Sequence, residues 1–216
     1  MRVFINTALG ETWEDKGERI EGDVLFMRRE EYPTNDEGEM LVPEGALLIV
    51  CAVDTQDDRL EAELIAFGAG HESWGLAKYR LLGDPARPEV WSQLDDLLAS
   101  TWEHECGATL GISICFIDSG GHRTSSVYEY CKVRKGRGIY PIRGVGGEDQ
   151  PIIRVSSQRS GRSRRPVDLY LLGVDGIKST VYSQLSLTEG GAGYCHFPIS
   201  DDYDQEHFAQ LTAEEK

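Results

Sequence analysis

The stretch ALLIVCAVDTQDDRLEAELIAF, residues 46–67, decides the fold of this chain. Residues 46–53 form a continuous apolar run of strand length, which is typical of a strand covered on both faces. A polar turn follows at 55–58, and residues 59–67 then alternate between polar and apolar side chains, which predicts a second strand. A third strand is predicted at 72–82. Together these segments predict a three-stranded antiparallel meander.

A second apolar run, residues 111–117, resembles the first, and it too ends on an aspartate, Asp118. The region before it has proline early and apolar residues at helical spacing, which predicts a helix that begins at Asp84 and ends before Gly107. When a helical crossover follows a meander, the next strand commonly pairs parallel to the first strand. We therefore expect Asp54 and Asp118 to lie side by side at the carboxyl edge of one sheet, where open α/β sheets bind ligands.

The rest of the chain continues as α/β units. The patterns predict a helix at about 124–134, a strand at 139–145, a strand at 169–174, a helix at 175–187 and a helix at 204–211. The Ser/Arg-rich segment 154–165 is interpreted as a mobile loop. The predicted fold class is α/β, with a mixed sheet that joins the antiparallel meander to parallel strands and is flanked by helices.

Residues 1–45 differ in composition from the rest. They are charged, rich in Glu and interrupted by turn formers, so we interpret them as a connecting arm with short helical turns around 11–21 and 28–32. The folded domain would then comprise residues 46–216. The sequence has no run of 18 or more apolar residues, so no membrane-spanning helix is predicted.

Charge is strongly polarised along the chain. The net charge of −15 at pH 7 argues at first against nucleic acid. However, residues 1–65 hold 17 acidic and 6 basic side chains, whereas residues 121–166 hold 11 basic and 3 acidic ones. The basic sector could meet DNA phosphates while the whole chain stays acidic, and a solvated charged loop is the alternative interpretation. Its candidate DNA-binding residues include Arg159, Arg162, Arg164 and Arg165.

Two carboxylates at neighbouring strand ends predict a cation between them, because they repel each other and are costly to desolvate. Ligands that are all oxygen favour a hard cation, Mg²⁺ or Mn²⁺. Two such ions, about 4 Å apart, would activate a water and stabilise the leaving oxygen of a phosphodiester. Asp54 is the better candidate to bridge both ions, and Asp118 would complete the shell of one. A turn-forming role is the alternative for each aspartate.

Weaker candidates follow other predicted strands. His122 could orient water or touch the scissile phosphate, and Asp175 could be a metal ligand, although helix N-capping is its plainer explanation. Arg143 and Lys178 could hold phosphates, with solvated surface charge as the alternative. The glycine-rich segment 144–147 lacks the lysine of a phosphate-binding loop, which argues against nucleotide hydrolysis there. No Gly-x-Ser-x-Gly or Cys/His arrangement supports an acyl-transfer enzyme.

Six stretches of the chain resemble the large terminase subunit of lambda-like tailed phages. They are FINTALGETWEDKGE (4–18), AVDTQDDRLEAELIAFGAGHESW (52–74), FIDSGGHRTSSVYEYC (116–131), IRGVGG (142–147), LYLLGVDGIKSTVYSQL (169–185) and GYCHFP…FAQLTAEEK (193–216). Such subunits pair an N-terminal packaging ATPase with a C-terminal nuclease of the RNase H-like fold, which cuts concatemeric phage DNA with divalent metals. This sequence matches only the C-terminal part. By this resemblance, residues 1–45 are the segment that joins the two domains.

The resemblance places Asp54 on the first metal-binding carboxylate of the nuclease and Asp118 on the second. Nucleases of this type draw a third carboxylate from a late helix, which in similar terminases follows the QLTAEEK stretch. Because the chain stops at Lys216, we expect this third ligand to be missing from a truncated domain. The substitutes considered are Asp175, Asp201 and Asp202.

The leading hypothesis is therefore a metal-dependent nuclease domain that cuts duplex DNA. Its partners by resemblance would be the packaging ATPase domain, the small terminase subunit and the portal, in the host cell cytoplasm and without a membrane. The alternative is a catalytically incomplete fragment that binds DNA, the packaging motor or the portal. A resolvase- or transposase-like nuclease of the same fold fits the chemistry but not the motifs.

Overall fold

The computed structural model of the protein describes residues 20–158 and 166–213. In these ranges it contains nine strands: β1 (Ala46–Thr55), β2 (Arg59–Gly68), β3 (Ser73–Leu82), β4 (Thr101–Glu103), β5 (Thr109–Asp118), β6 (Ile139–Val145), β7 (Ile153–Gln158), β8 (Val167–Gly173) and β9 (Cys195–His196). The same ranges contain five α-helices: α1 (Gly22–Met27), α2 (Pro88–Leu98), α3 (Thr124–Val133), α4 (Val174–Leu185) and α5 (Gln205–Ala213). None of these helices is long and apolar enough to cross a bilayer.

The strands form one mixed sheet in the order β7-β8-β6-β5-β1-β2-β3-β9, and β4 pairs with the start of β5. β1, β2 and β3 form the predicted antiparallel meander. β5 pairs parallel to β1, β6 parallel to β5, and β8 parallel to β6, while the edge strand β7 runs antiparallel to β8. The predicted fold class is confirmed: this is an α/β domain with an RNase H-like mixed sheet flanked by helices.

The two faces of the sheet are covered differently. Along β1, Ile49, Cys51 and Val53 are buried, whereas the alternate residues Ala52 and Asp54 are exposed. The buried face packs against α2 and α3 in the main core. The prediction that β1 is covered on both faces was therefore wrong, because an unbroken apolar run does not reveal which face stays open. We call the face that carries Asp54 the open face.

A second, smaller core lies against the open face. It joins α1, α5 and the end of α4 through Leu25, Leu185, Phe197, Tyr203 and Phe208. α1 and α5 approach closely, since a Cβ on Gly22 would lie 3.0 Å from the carbonyl carbon of Phe208. The Tyr203 hydroxyl donates a hydrogen bond of 2.9 Å to Glu63 on β2, which ties this core to the sheet.

The described part of the N-terminal segment, residues 20–45, packs onto the domain. Leu25 is fully buried in the second core, and Tyr32 and Val42 belong to the main core. The short helix lies at Gly22–Met27 and not at 28–32, because the apolar Leu25 docks there against α5. The predicted helical turn at 11–21 falls largely outside the described residues. The division of the chain after residue 45 stays a prediction.

Two local predictions were wrong. The helix α2 does not extend towards Gly107 but ends at Leu98, and β4 then forms a hairpin with β5. Gly107, with φ +82°, sits in that hairpin turn and does not end a helix. Likewise, the first part of the predicted loop 154–165 belongs to the strand β7, because residues 154–158 pair with β8 in an antiparallel ladder. Residues 159–165 lie outside the described ranges.

Candidate active site

The strand register brings Asp54 and Asp118 together. Val53 and Ile117 are partners in the parallel ladder between β1 and β5, and each aspartate is the next residue of its strand. Since Val53 and Ile117 point into the main core, Asp54 and Asp118 both point to the open face. Neighbouring strands lie about 4.8 Å apart, so the two carboxylates face the same small volume. Their predicted juxtaposition at the carboxyl edge is confirmed.

Hydrogen bonds from the chain orient both carboxylates. The Gly120 amide donates to Asp118 Oδ1 over 3.1 Å, and the Gln56 side-chain amide donates to Asp54 Oδ2. The Thr55 hydroxyl donates to the Asp118 carbonyl over 3.1 Å and so joins the ends of β1 and β5. Within the described residues, Asp54 Oδ1 and Asp118 Oδ2 accept no hydrogen bond. One oxygen of each carboxylate is thus fixed and the other is available to a ligand.

The loop after Asp118 is fastened to β6. Ser119 is buried, and both its amide and its hydroxyl donate to the Ile142 carbonyl, over 2.9 and 2.7 Å. Arg143 donates from Nη2 to the Ser119 carbonyl over 3.0 Å, while its Nε is buried with no hydrogen-bond partner among the described residues. The guanidinium predicted to bind DNA therefore lies beside Asp118 and supports its loop. Its DNA contact stays a prediction.

A cleft of about 730 Å³ opens on the open face beside Asp54. Seven carboxylates and two basic side chains line it, namely Asp54, Glu61, Glu63, Asp201, Asp202, Asp204 and Glu206 with Lys78 and Arg80. Asp201 and Asp202, the sequence candidates for a third carboxylate, thus share a cleft with Asp54. Asp202 already accepts the Lys78 amide over 3.0 Å. The excess of carboxylates favours cations over anions in this space.

Sequence reasoning missed Glu61, an acidic side chain that lies opposite Asp54 on the meander. Asp54 and Glu61 are cross-strand partners in the antiparallel pair of β1 and β2. Arg59 Nε lies 2.7 Å from Glu61 Oε1, and Arg80 Nη2 lies 3.5 Å from the same oxygen. The short turn at 55–58 and the alternation of 59–67 together contained the signal, because they set which residue of β2 faces Asp54.

Burial controls protonation deeper in the cleft. Burial raises the pKa of the Glu63 carboxyl, against the opposing effects of Lys78 and the Tyr203 hydroxyl. Burial also lowers the pKa of His207 to about 4, and the neighbouring Lys78, which contacts its ring, adds to the shift. His207 is therefore neutral at pH 7.

Other predicted residues lie away from the aspartate pair. Asp175 sits in the first turn of α4, and its Oδ2 accepts the Gly147 amide over 2.7 Å. It follows β8, which is two strands and so about 10 Å from β5. The N-cap of α4 is Gly173, so N-capping by Asp175 was wrong. Within the part of the chain that the structure describes, no three His, Cys, Asp or Glu side chains form a ready metal site.

The predicted DNA contacts are spread over the surface. His122 is 90% exposed near the site, with Nδ1 3.8 Å from Asp57 Oδ1. Lys178 is exposed on α4. The arginines Arg159, Arg162, Arg164 and Arg165 lie outside the described residues. Their flanking residues Gln158 and Val167 are ladder partners at the end of β8 opposite to the carboxyl edge, about 20 Å from it.

The sheet and its paired aspartates define an RNase H-like α/β domain with an oxygen-rich site at the carboxyl edge. The chain belongs to the family described as terminase large subunit gpA, endonuclease domain, whose model matches residues 1–216. It is 32% identical over 221 residues to the terminase large subunit of Escherichia phage lambda, and 26% identical over 222 residues to that of Enterobacteria phage P21. The alignments cover 100% of this chain but 33% of each relative, so the chain spans a third of their length. No solved structure matches the chain significantly.

Proposed function

We propose that this chain is a metal-dependent endonuclease domain that hydrolyses phosphodiester bonds of concatemeric duplex DNA with two Mg²⁺ or Mn²⁺ ions. The observation that carries the proposal is the register-matched pair Asp54 and Asp118, each with one oriented and one available oxygen. Membership in the terminase endonuclease family supports the reaction and the substrate.

The residues at the carboxyl edge fit hard divalent ions. The available donors are carboxylate oxygens, which suit Mg²⁺ or Mn²⁺ better than softer metals. Asp54 and Asp118 would hold the ions, and the candidates for a third carboxylate are Asp201 and Asp202, which line the same cleft as Asp54, and Asp175, which accepts the Gly147 amide. Bound ions would activate a water and stabilise the leaving oxygen. The chain's own part is to fix the two carboxylates and, through Ser119 and Arg143, the loop beside them.

The DNA would lie across the carboxyl edge, with phosphates near His122 and Arg143. Lys178 on α4 and the arginines Arg159, Arg162, Arg164 and Arg165 would contact more distant parts of the duplex. Such contacts carry no sequence preference and weaken steeply as salt rises. The packaging ATPase domain, the small terminase subunit and the portal are the proposed partners, in the host cell cytoplasm.

The test is cleavage of supercoiled plasmid with Mn²⁺ by the wild type and by Asp54→Asn and Asp118→Asn. Each variant should lose about 100-fold or more in rate, because a metal site supplies several kcal/mol of stabilisation to the transition state. Asp96→Asn, an exposed aspartate of α2, is the matched control and should cut like the wild type. Undiminished cleavage by Asp54→Asn would refute the assignment. If the wild type binds duplex DNA but cuts it with neither Mn²⁺ nor Mg²⁺, the catalytically incomplete alternative is supported.

A further inference from the structure

The turn between β1 and β2 places one neutral side chain against the carboxylate of Asp54. The backbone N–H of Gln56 donates to the Arg59 carbonyl over 3.0 Å and so closes this turn. Thr55 joins the same turn to β5 through the Asp118 carbonyl. The backbone of Gln56 is thereby anchored on both sides, and its side chain reaches back to Asp54 Oδ2.

This contact is the single hydrogen bond of the Asp54 carboxylate within the described residues. Asp54 is exposed, so no packing fixes the rotation of its carboxylate. The Gln56 amide supplies that constraint and leaves Oδ1 available. In the loop after β5, the Gly120 amide likewise donates a hydrogen bond to one oxygen of Asp118. Both members of the pair therefore have a neutral N–H donor on one oxygen.

The neutral donor distinguishes Asp54 from its neighbour Glu61. Two guanidinium groups lie beside Glu61 and compensate its charge, namely that of Arg59, which Glu61 shares with Asp58, and that of Arg80. An amide orients a carboxylate without cancelling its charge, whereas a guanidinium makes the carboxylate a poor ligand for a second cation. Of two adjacent acidic side chains, the one held by an amide keeps its attraction for a metal ion.

We infer that Gln56 is a positioning residue that orients Asp54 for metal binding, and that the pairing of Glu61 with Arg59 and Arg80 excludes Glu61 from the metal shell. This inference rests on the proposed function. Donors that orient metal ligands typically change metal affinity by about 10- to 100-fold. Because Gln56 is partly exposed, the low end of that range applies.

The test is a titration of Mn²⁺ into the metal-free protein, followed by electron paramagnetic resonance of the free ion. Gln56→Ala should bind Mn²⁺ about tenfold more weakly at an unchanged melting temperature. Gln56→Arg should bind Mn²⁺ at least as weakly as Gln56→Ala does, because the arginine places a positive charge beside the Asp54 carboxylate. Glu61→Gln should bind as the wild type does. In plasmid cleavage, saturating Mn²⁺ should restore the rate of Gln56→Ala, which a structural defect would not allow.

The control is Gln158→Ala, which removes a side-chain amide that donates to the Ser156 hydroxyl at the end of the sheet opposite to the carboxyl edge. Wild-type affinity in Gln56→Ala, or loss of binding in Glu61→Gln, would overturn the inference. Asp54→Asn in the same titration separates the two levels of failure. If Asp54→Asn loses binding while Gln56→Ala does not, the role of Gln56 fails alone. If Asp54→Asn binds like the wild type, the proposed function fails as well.

Discussion

Replacing Tyr203 with Phe should show how much the hydrogen bond between Tyr203 and Glu63 stabilises the second core. Tyr203 is fully buried, and its hydroxyl donates to Glu63 over 2.9 Å. The substitution removes that donor at nearly constant volume. Hydrogen bonds to charged groups contribute about 1.5–3 kcal/mol, so we expect a loss of about 2 kcal/mol in the free energy of unfolding at about pH 8.

The loss should shrink on acidification. Burial raises the pKa of Glu63 above its unfolded value, so its contribution to stability is present below the unfolded pKa and declines as pH rises through the folded pKa. The Tyr203 hydroxyl opposes that decline because it stabilises the carboxylate. At about pH 5, more of Glu63 is protonated than at about pH 8, so the penalty of Tyr203→Phe should be smaller there and shift towards the value of about 1 kcal/mol that is typical of a hydrogen bond between neutral groups.

Urea unfolding followed by tryptophan fluorescence, at both pH values, measures this difference. Tyr79→Phe, at a β3 residue that packs against the main core, is the matched control and should change the free energy of unfolding by less than about 0.5 kcal/mol. In a Glu63→Gln background the penalty of Tyr203→Phe should lose its pH dependence. An equal penalty at both pH values in the wild-type background would refute the coupling of Tyr203 to Glu63.

Two further stability predictions concern the packing of residues 20–45 and their neighbours. Phe208→Ala should lower the free energy of unfolding by about 3–5 kcal/mol, because this ring is fully buried between α1 and Phe197; Met27→Ala, at an 80% exposed position, should change it little in the same urea titration. Glu72→Gln should destabilise by less than about 1 kcal/mol at neutral pH, since the His196 hydrogen bond holds the pKa of Glu72 below its ordinary 4.5. The stability that ionised Glu72 contributes is present above its unfolded pKa and is lost as pH falls through its lowered folded pKa. The melting temperatures of the variant and the wild type should therefore converge in acid. A difference in melting temperature that stays constant with pH would contradict the role of His196.

The sequence was sufficient where the signal lay within one segment. Two apolar runs that each end on aspartate, with a helix between them, led to the parallel pairing of β1 with β5 and to the site. The packing of Leu25 against α5 could not be predicted, because it joins residues far apart in the chain and only the folded state brings them together. β4 and β7 were missed for a related reason: their pairing with a neighbouring strand overrides weak local preferences. The contact between Gln56 and Asp54, by contrast, joins residues two positions apart in one turn, so an analysis of that turn could have predicted it.

The charge imbalance of the cleft has a kinetic consequence. Seven carboxylates and two basic side chains line the space beside Asp54, so a metal-free cleft repels a polyanion. If the chain acts as the proposed nuclease, a phosphodiester would reach Asp54 only after, or together with, the cations that neutralise this space. Divalent ions would then be needed for the DNA to enter the cleft as well as for the reaction itself. The concentration of free metal would set how often a duplex held elsewhere on the surface is cut, which separates holding DNA from cutting it.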